Sequence, residues 1–484
     1  MRGRYGQSST VEPLKQHRCW SRKASVLLRF QVTNHASLRY EQQLSLIASD
    51  EHPDRAERGV PDTRHRVLPV AAIYGPNASG KSNVLNALVW MRYAVLSSFR
   101  RWDPDGGVPR RPFTLCTDPG AFPSTYEMDC VVEGTRYEFG FTVDDRQVLR
   151  EWLYYFHDGH RRKLYVRSEE NPVPSFGRWL TGRRKVISEL LRPNSLYLSV
   201  AAAQGHDRLG ALYRWFRNGL RVASDSDFVS RLNYTVDLYR RQEGSSASSV
   251  RAPLLELLRF ADLGVRDLRI QEQEEGVKEE QQRIVTALRE AVGGHVRVDS
   301  LPRHQVQVEH RTAEGIFSLE IDEESSGTRT WIGLLGPVLT SLQQGSVLCV
   351  DELDARLHPY LADALVGLFQ SAETNPYGAQ LVFSTHEASL LGHNARTELK
   401  RDQIWFTEKD TEDSTTRLFP LTDFRVRDVH DNLEKRYLSG RYGALPFLDE
   451  DVLRHLTEEV SAAGGARGAG KTTESSGGNS SGVP

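Results

Sequence analysis

Gly75, Pro76, Asn77, Ala78, Ser79, Gly80, Lys81 and Ser82 satisfy the pattern G-x-x-x-x-G-K-[ST], and their surroundings suit it. The apolar run Val67–Tyr74 leads in as a buried strand. An amphipathic stretch carrying Val84, Leu88, Met91 and Val95 leads out as a helix. In a strand–loop–helix of this kind the loop's N–H groups and the helix N-terminus converge on a triphosphate. Lys81 is expected on the β- and γ-phosphates and the Ser82 hydroxyl on Mg²⁺, with residues 75–82 and Asn83 forming the nucleotide contacts.

The same pattern recurs at Gly465–Thr472, where no apolar strand precedes it and small and polar residues follow. Without a strand and a helix to fix the backbone, that copy is expected to be inert. With 484 residues, 39% hydrophobic and 26% charged, the chain reads as a soluble globular protein of one to three domains. No apolar stretch nears the roughly 18 residues of a membrane span, and Arg2 and Arg4 lack the apolar segment of a secretory signal. Cys19, Cys116, Cys130 and Cys349 lie far apart, which favours a reducing cytoplasmic setting over a zinc site. A net charge of −2 gives no bulk attraction to nucleic acid. Any such contact must come from local clusters: Arg100–Arg101, Arg110–Arg111, Arg161–Arg162–Lys163 or Arg183–Arg184–Lys185, each of which also reads as a solvated face.

Residues 1–23 are polar and basic and are expected to be disordered, with order starting at the strand Ser25–Val32. From Thr125 to Arg167 the apolar period is two: Tyr126, Met128, Cys130 and Val132, then Tyr137, Phe139 and Phe141. Turn pairs Glu133–Gly134, Asp144–Asp145 and Asp158–Gly159 mark an antiparallel meander. Between about 178 and 295 the pattern is mostly helical, over 209–220, 227–239, 254–260 and 279–292, with a polar loop at 240–249. No heptad is sustained, so a long coiled-coil arm is not expected. A hairpin across 313–315 comes next. Short apolar runs then alternate with helices to about Phe447, as in a parallel α/β sheet. The tail 459–484 reads as disordered.

Val347–Val350 is an unbroken apolar run ending in Asp351 and Glu352. A carboxylate ending a strand that neighbours the phosphate-loop strand can hold Mg²⁺, which suits Asp351. The next carboxylate can polarise water, which suits Glu352. Read alone, the pair is a strand ending in charge; beside the Gly75 loop it becomes half of a site. Gln380–Thr385 repeats the layout and ends in His386, placed 35 residues after Asp351 so that it can sit beside the γ-phosphate. Ser325, Ser326 and Gly327 open a helix over 330–342. That turn is either an ordinary N-cap or a second anion-binding end.

The order of GPNASGKS, ESSGT, VLCVDE and FSTHE resembles that of the ABC-type ATPase head: Walker A, signature, Walker B and switch histidine. Asp354–Pro359 looks like that family's D-loop. The resemblance implies an α/β P-loop fold, a mixed sheet with an antiparallel β lobe and an inserted helical subdomain. It implies an N-terminal lobe at 24–177, a helical insertion at 178–300 and a C-terminal lobe at 301–450. It also implies a homodimer or higher oligomer in which Ser325, Ser326 and Gly327 act in trans, with Glu352, His386 and Lys81 catalytic and Ser82 and Asp351 holding Mg²⁺. Within the superfamily the chain is most similar to AAA-type bacterial ATPases related to RecF, OLD and AbiL proteins, through Asn34–Leu38, Phe260–Val265 and Tyr437–Pro446. His35 stands where that first block has an aromatic residue, and no glutamine matches the Q-loop.

On this resemblance the chain is expected to bind and hydrolyse ATP as a dimeric switch. AbiL-like proteins serve in phage defence beside a separately encoded effector, a nuclease of the RloB or Toprim-like kind. The alternative is a RecF- or SMC-like ATP-dependent DNA clamp in repair. An OLD-type nuclease has least support, because about 60 residues between His386 and Phe447 leave no room for a Toprim domain.

Overall fold

The computed structural model describes residues 25–50, 55–61, 63–223, 228–240, 250–273, 275–292, 301–392, 395–425, 432–445 and 454–455. The basic N-terminus 1–23, nearly all of the 240–249 loop, the second phosphate-loop pattern and the tail 459–484 lie outside the described residues. By its internal contacts the chain forms two units, Met1–Ala444 and Leu445–Pro484, and every strand named below belongs to the first.

From the N-terminus, β1 (Val26–Thr33) pairs with β2 (Gln42–Ser45), β3 (Arg58–Gly59) with β4 (Arg66–Val67), and β5 (Val70–Tyr74) leads to α1 (Lys81–Ser97). Next come β6 (Ser124–Val132), β7 (Thr135–Val143), β8 (Val148–His157), β9 (His160–Ser168) and β10 (Ser175–Phe176). The middle of the chain holds α2 (Arg184–Glu189), α3 (Tyr197–Ala203), α4 (Asp207–Arg214), β11 (Leu220–Ala223), α5 (Phe228–Arg240), α6 (Arg251–Phe260), β12 (Val265–Glu272) and α7 (Glu275–Val292). The hairpin β13 (His304–Arg311) and β14 (Ile316–Glu320) precedes α8 (Ser326–Gln344), β15 (Val347–Val350), α9 (Pro359–Gln370) and β16 (Gln380–Ser384). The last elements are β17 (Ile404–Lys409), β18 (Thr416–Pro420) and α10 (Leu433–Leu438).

Two large sheets result. The first is antiparallel, in the order β10-β9-β8-β7-β6-β1-β2; the second is β11-β15-β16-β5-β17-β18, parallel except for β18. Every residue of β5, β15 and β16 is buried, as strands covered on both faces require. The meander has its expected turns. Glu133–Gly134 and Asp158–Gly159 are both left-handed at each position, as two-residue hairpins of right-twisted strands demand. This is the α/β P-loop head with an antiparallel lobe that the motif order implied.

The segment 178–300 differs from its mostly helical reading in three ways. Residues 220–223 leave the helix and form β11, an edge strand of the parallel sheet hydrogen-bonded to β15. Residues 265–272 form β12, which pairs with β13. Helices α2–α4 bury Ile187, Leu198, Val200 and Leu212 in the hydrophobic cluster shared by α1 and the antiparallel sheet, so they belong to the N-terminal lobe. α5 crosses α8 so closely that a Cβ on Gly336 would meet the Thr235 backbone. Pro337 in α8 cannot donate to Gly333 O, and the Thr235 hydroxyl, shared with Arg231 O at 3.0 Å, reaches that carbonyl at 3.2 Å.

A buried ion pair joins α3 to the antiparallel sheet. Glu151, fully buried on β8, accepts from Arg167 Nε (3.0 Å), Tyr165 Oη (2.7 Å), Tyr197 N (2.7 Å) and Leu198 N (3.1 Å). Glu151→Leu would strand the Arg167 guanidinium and two first-turn N–H groups of α3. It should destabilise the protein by about 3–5 kcal/mol, read as a lower midpoint in urea unfolding; a loss under about 1 kcal/mol would show that the network carries little stability.

Candidate functional site

The phosphate loop is shaped by what presses on it. A Cβ at Gly75 would collide with Thr407 and with Ser79 Oγ, and one at Gly80 with Thr416 and Ser37. Gly80 also takes a left-handed φ of 103° as it enters α1. Those neighbours form a hydroxyl frame behind the loop. Ser79 Oγ lies 2.6 Å from Thr407 Oγ1, Thr416 Oγ1 donates to Ser79 O at 2.8 Å, and Ser37 Oγ lies 2.6 Å from Thr416 Oγ1. Asn83 Nδ2 closes the chain on Ser37 Oγ at 2.7 Å. Two of the expected nucleotide contacts, Ser79 and Asn83, therefore engage their side chains in the frame. Asn77 and Ala78 stand exposed at the loop tip.

Lys81 is 5% exposed and donates to Gly75 O (2.8 Å) and Pro76 O (3.1 Å). Its ammonium also lies 3.3 Å from His386 Nδ1. Burial lowers the Lys81 pKa, with Glu352, Asp351 and Asp354 opposing. Burial and then the Lys81 charge lower that of His386, against the same three carboxylates. The ring is thus a neutral imidazole at pH 7 and accepts from Lys81 through Nδ1.

The strand carrying Asp351 does not neighbour β5, as the apolar runs alone suggest: β16 lies between them. Asp351 reaches the loop because β16 ends in a short side chain. Ser384 Oγ donates to Asp351 Oδ1 at 2.6 Å, and Ser82 Oγ donates to the same oxygen at 3.0 Å. Ser384 Oγ also accepts from Glu352 N at 2.7 Å, and Ser384 O from Leu353 N at 3.0 Å. These bonds hold Glu352 at a φ of 53°, a left-handed conformation uncommon for a non-glycine residue. Glu352 is exposed, and among the described residues no hydrogen bond engages its carboxylate. His386 N donates to the Asp354 carboxylate at 3.3 Å. Lys81, Ser82, Asp351, Glu352 and His386 therefore meet at one edge of the parallel sheet.

The Ser325 turn stands apart from that group. Ser325 caps α8, its Oγ accepting from Thr328 N at 3.1 Å, and the helix starts at Ser326, four residues before the expected 330. Ser325 and Ser326 are exposed. A Cβ at Gly327 would lie 2.8 Å from Arg356 O, so the turn rests on the loop after Asp351. Among the described residues no hydrogen bond joins Ser325–Gly327 to residues 75–83.

The block Asn34–Leu38 holds the frame from the other side. His35 packs its ring edge-on to Tyr126, with Nδ1 2.8 Å from the phenol oxygen, and burial pushes its pKa down to about 4. The histidine therefore serves as the buried aromatic that the resembled block calls for.

Residues 70–392, more than half of the chain, match a protein family described as "AAA domain, putative AbiEii toxin, Type IV TA system". The chain belongs to that AAA-domain family. With its phosphate loop and sheet order, it is a P-loop protein of the ATPase class. No curated protein matches it. Similar solved structures include the SMC head domain from Thermotoga maritima, at 13% identity and a TM-score of 0.36 over 83% of this chain and 99% of that one. Others are the SmcHead bound to the C-winged helix domain of ScpA, with 12% identity, a TM-score of 0.39 and coverage of 85% and 99%, and the Smc head with an extended coiled coil bound to the C-terminal domain of ScpA derived from Pyrococcus furiosus, with 11%, 0.32, 86% and 99%. Among the described residues of this AAA-family chain, no helix is long and apolar enough to cross a membrane.

Proposed function

We propose that this chain is an ATP-hydrolysing switch that works as a pair of identical subunits. The observation that carries the reading is the convergence of Lys81, Ser82, Asp351, Glu352 and His386 on one sheet edge, while the exposed Ser325–Ser326 helix start remains outside it. An exposed helix N-terminus that, among the described residues, makes no hydrogen bond to its own phosphate loop suits the open side of a partner's phosphate site.

In this reading Lys81 leaves the Gly75 and Pro76 carbonyls for the β- and γ-phosphates. The donor set of Ser82 Oγ and Asp351 Oδ1 fits Mg²⁺, a hard cation that takes one or two protein oxygens and keeps its waters. When bound, Mg²⁺ supplies charge neutralisation at the phosphate oxygens. Glu352 orients and deprotonates the attacking water, and neutral His386 steadies the γ-phosphate. Catalysis is positioning and electrostatics, with the Ser325 turn of the second subunit completing the site. As output we infer control of a separately encoded effector in phage defence, a nuclease of the RloB or Toprim-like kind. Support comes from the toxin–antitoxin wording of the family description and from the AbiL-like sequence blocks.

Mixing two inactive variants tests the shared site. Lys81→Ala and Ser325→Arg should each be inactive alone, yet an equimolar mixture should recover about a quarter of wild-type ATPase, since half of randomly paired dimers carry one intact composite site. A mixture no more active than its components would mean that the Ser325 turn does not act across subunits.

A further inference from the structure

The four basic clusters seen in the sequence separate in the fold. Arg110 is buried and bonded to Asp145 at 2.6 Å. Arg161 pairs with Glu138, and Arg29 and Arg136 share Asp129. Arg29, Arg136, Arg161 and Arg167 of the antiparallel sheet thus meet carboxylates. At the β9–β10 edge, Arg162 of β9 and the basic segment after β10 do not. Between Ser175 and Arg192 there are five cations and one carboxylate, Glu189.

That edge folds around one tryptophan. Trp179 is 38% exposed, with the Arg162 guanidinium 4.8 Å and the Arg178 guanidinium 4.6 Å from its ring. Arg208, from α4, donates to Trp179 O at 3.0 Å. Arg184 donates to Leu180 O at 2.9 Å and to Gly177 O at 3.3 Å, so it pins the segment while keeping its charge. Arg183 and Lys185 are exposed beside it, and His206 Nε2 lies 3.0 Å from Thr181 O. Among the described residues, none of Arg162, Arg178, Arg183, Arg184, Lys185 and Arg208 has a carboxylate at ion-pair distance.

We propose that this arginine-rich edge around Trp179 binds the phosphate backbone of a nucleic acid. Arg162, Arg178, Arg184 and Arg208 converge on Trp179 and Leu180, with Arg183 and Lys185 exposed in the adjoining turn and helix, and a polyanion would supply the missing counter-charge while releasing its own counterions. Guanidinium groups suit the task because their planar forks match phosphate oxygens. The preference is electrostatic and without base sequence, since the edge presents charge and one partly covered ring. It lies on the lobe opposite in sequence to the Asp351–His386 half of the site, and it is independent of the ATPase reading.

The test is fluorescence anisotropy of the full chain with labelled DNA of about 30 base pairs or nucleotides, titrated at several salt concentrations. The wild type should bind with a log–log salt slope of about −4, and the variant Arg178→Glu/Arg183→Glu/Lys185→Glu should bind at least about 100-fold more weakly with its ATPase unchanged. If that variant fails to fold, Arg178→Gln/Lys185→Gln should weaken binding about tenfold and halve the slope. No salt-dependent binding by the wild type, binding by the variants within about threefold of it, or tighter binding to phosphatidylglycerol vesicles than to DNA would each overturn the proposal.

Discussion

Glu352→Gln should cut ATP hydrolysis by about 10²–10⁴-fold, the usual range for loss of a general base, while ATP binding persists and the protein accumulates as an ATP-held dimer. The substitution keeps the size of the side chain and removes its ability to take a proton. The surroundings explain why the effect should fall on turnover alone. Asp351 already accepts from Ser82 and Ser384 through one oxygen, so its place is fixed by the loop and by β16. Glu352 shares that anchorage only through its backbone, N to Ser384 Oγ, which leaves its carboxylate turned out where a partner's surface would cover it. Phosphate release in single-turnover and steady-state assays, with light scattering on a sizing column with and without ATP, measures both halves of the claim. Hydrolysis near the wild-type rate would remove Glu352 as the base. Loss of ATP binding would place it among the binding groups instead.

The parts of the site that were legible in the sequence are those in which a strand announces its own end. Val70–Tyr74, Val347–Val350 and Gln380–Ser384 are apolar runs cut off by Gly75, Asp351 and Thr385, and each does end at the same sheet edge. Alternation exposed the meander for a similar reason, because Tyr126, Met128 and Phe139 face one core. What stayed hidden depends on long-range placement. Leu220–Ala223 is four residues following an amphipathic helix, and it becomes a strand only because Val347–Val350 offers it an edge. The position of β16 between β5 and β15 is a fact of topology, and with it the role of Ser384 as the link to Asp351. Ser37, Thr407 and Thr416 are single hydroxyls far apart in the chain, and no pattern marks them. Charge clusters were the least readable: Arg110 and Arg183 look alike in a row of letters, yet one is buried on Asp145 and the other is exposed.

Lys81→Met should weaken nucleotide binding by more than about 10²-fold. Methionine keeps the length and packing of the buried stem; it gives up the bonds to Gly75 O and Pro76 O, while the hydroxyl frame of Ser79, Thr407, Thr416 and Ser37 keeps its own. What is lost is one charge-assisted contact to phosphate, worth roughly 1.5–3 kcal/mol or about 10–150-fold in affinity. A second loss adds to it. Glu352, Asp351 and Asp354 lie close enough to act on the ammonium electrostatically, and without that cation they would face the triphosphate with Mg²⁺ alone as counter-charge. Together the two effects should exceed 10²-fold, measured by titrating a fluorescent ATP analogue in the presence of Mg²⁺ on protein shown to be folded by its cooperative melting without nucleotide. Affinity within about threefold of the wild type would mean that the Gly75 loop does not cradle phosphate through Lys81, and the proposed ATPase would lose its first residue.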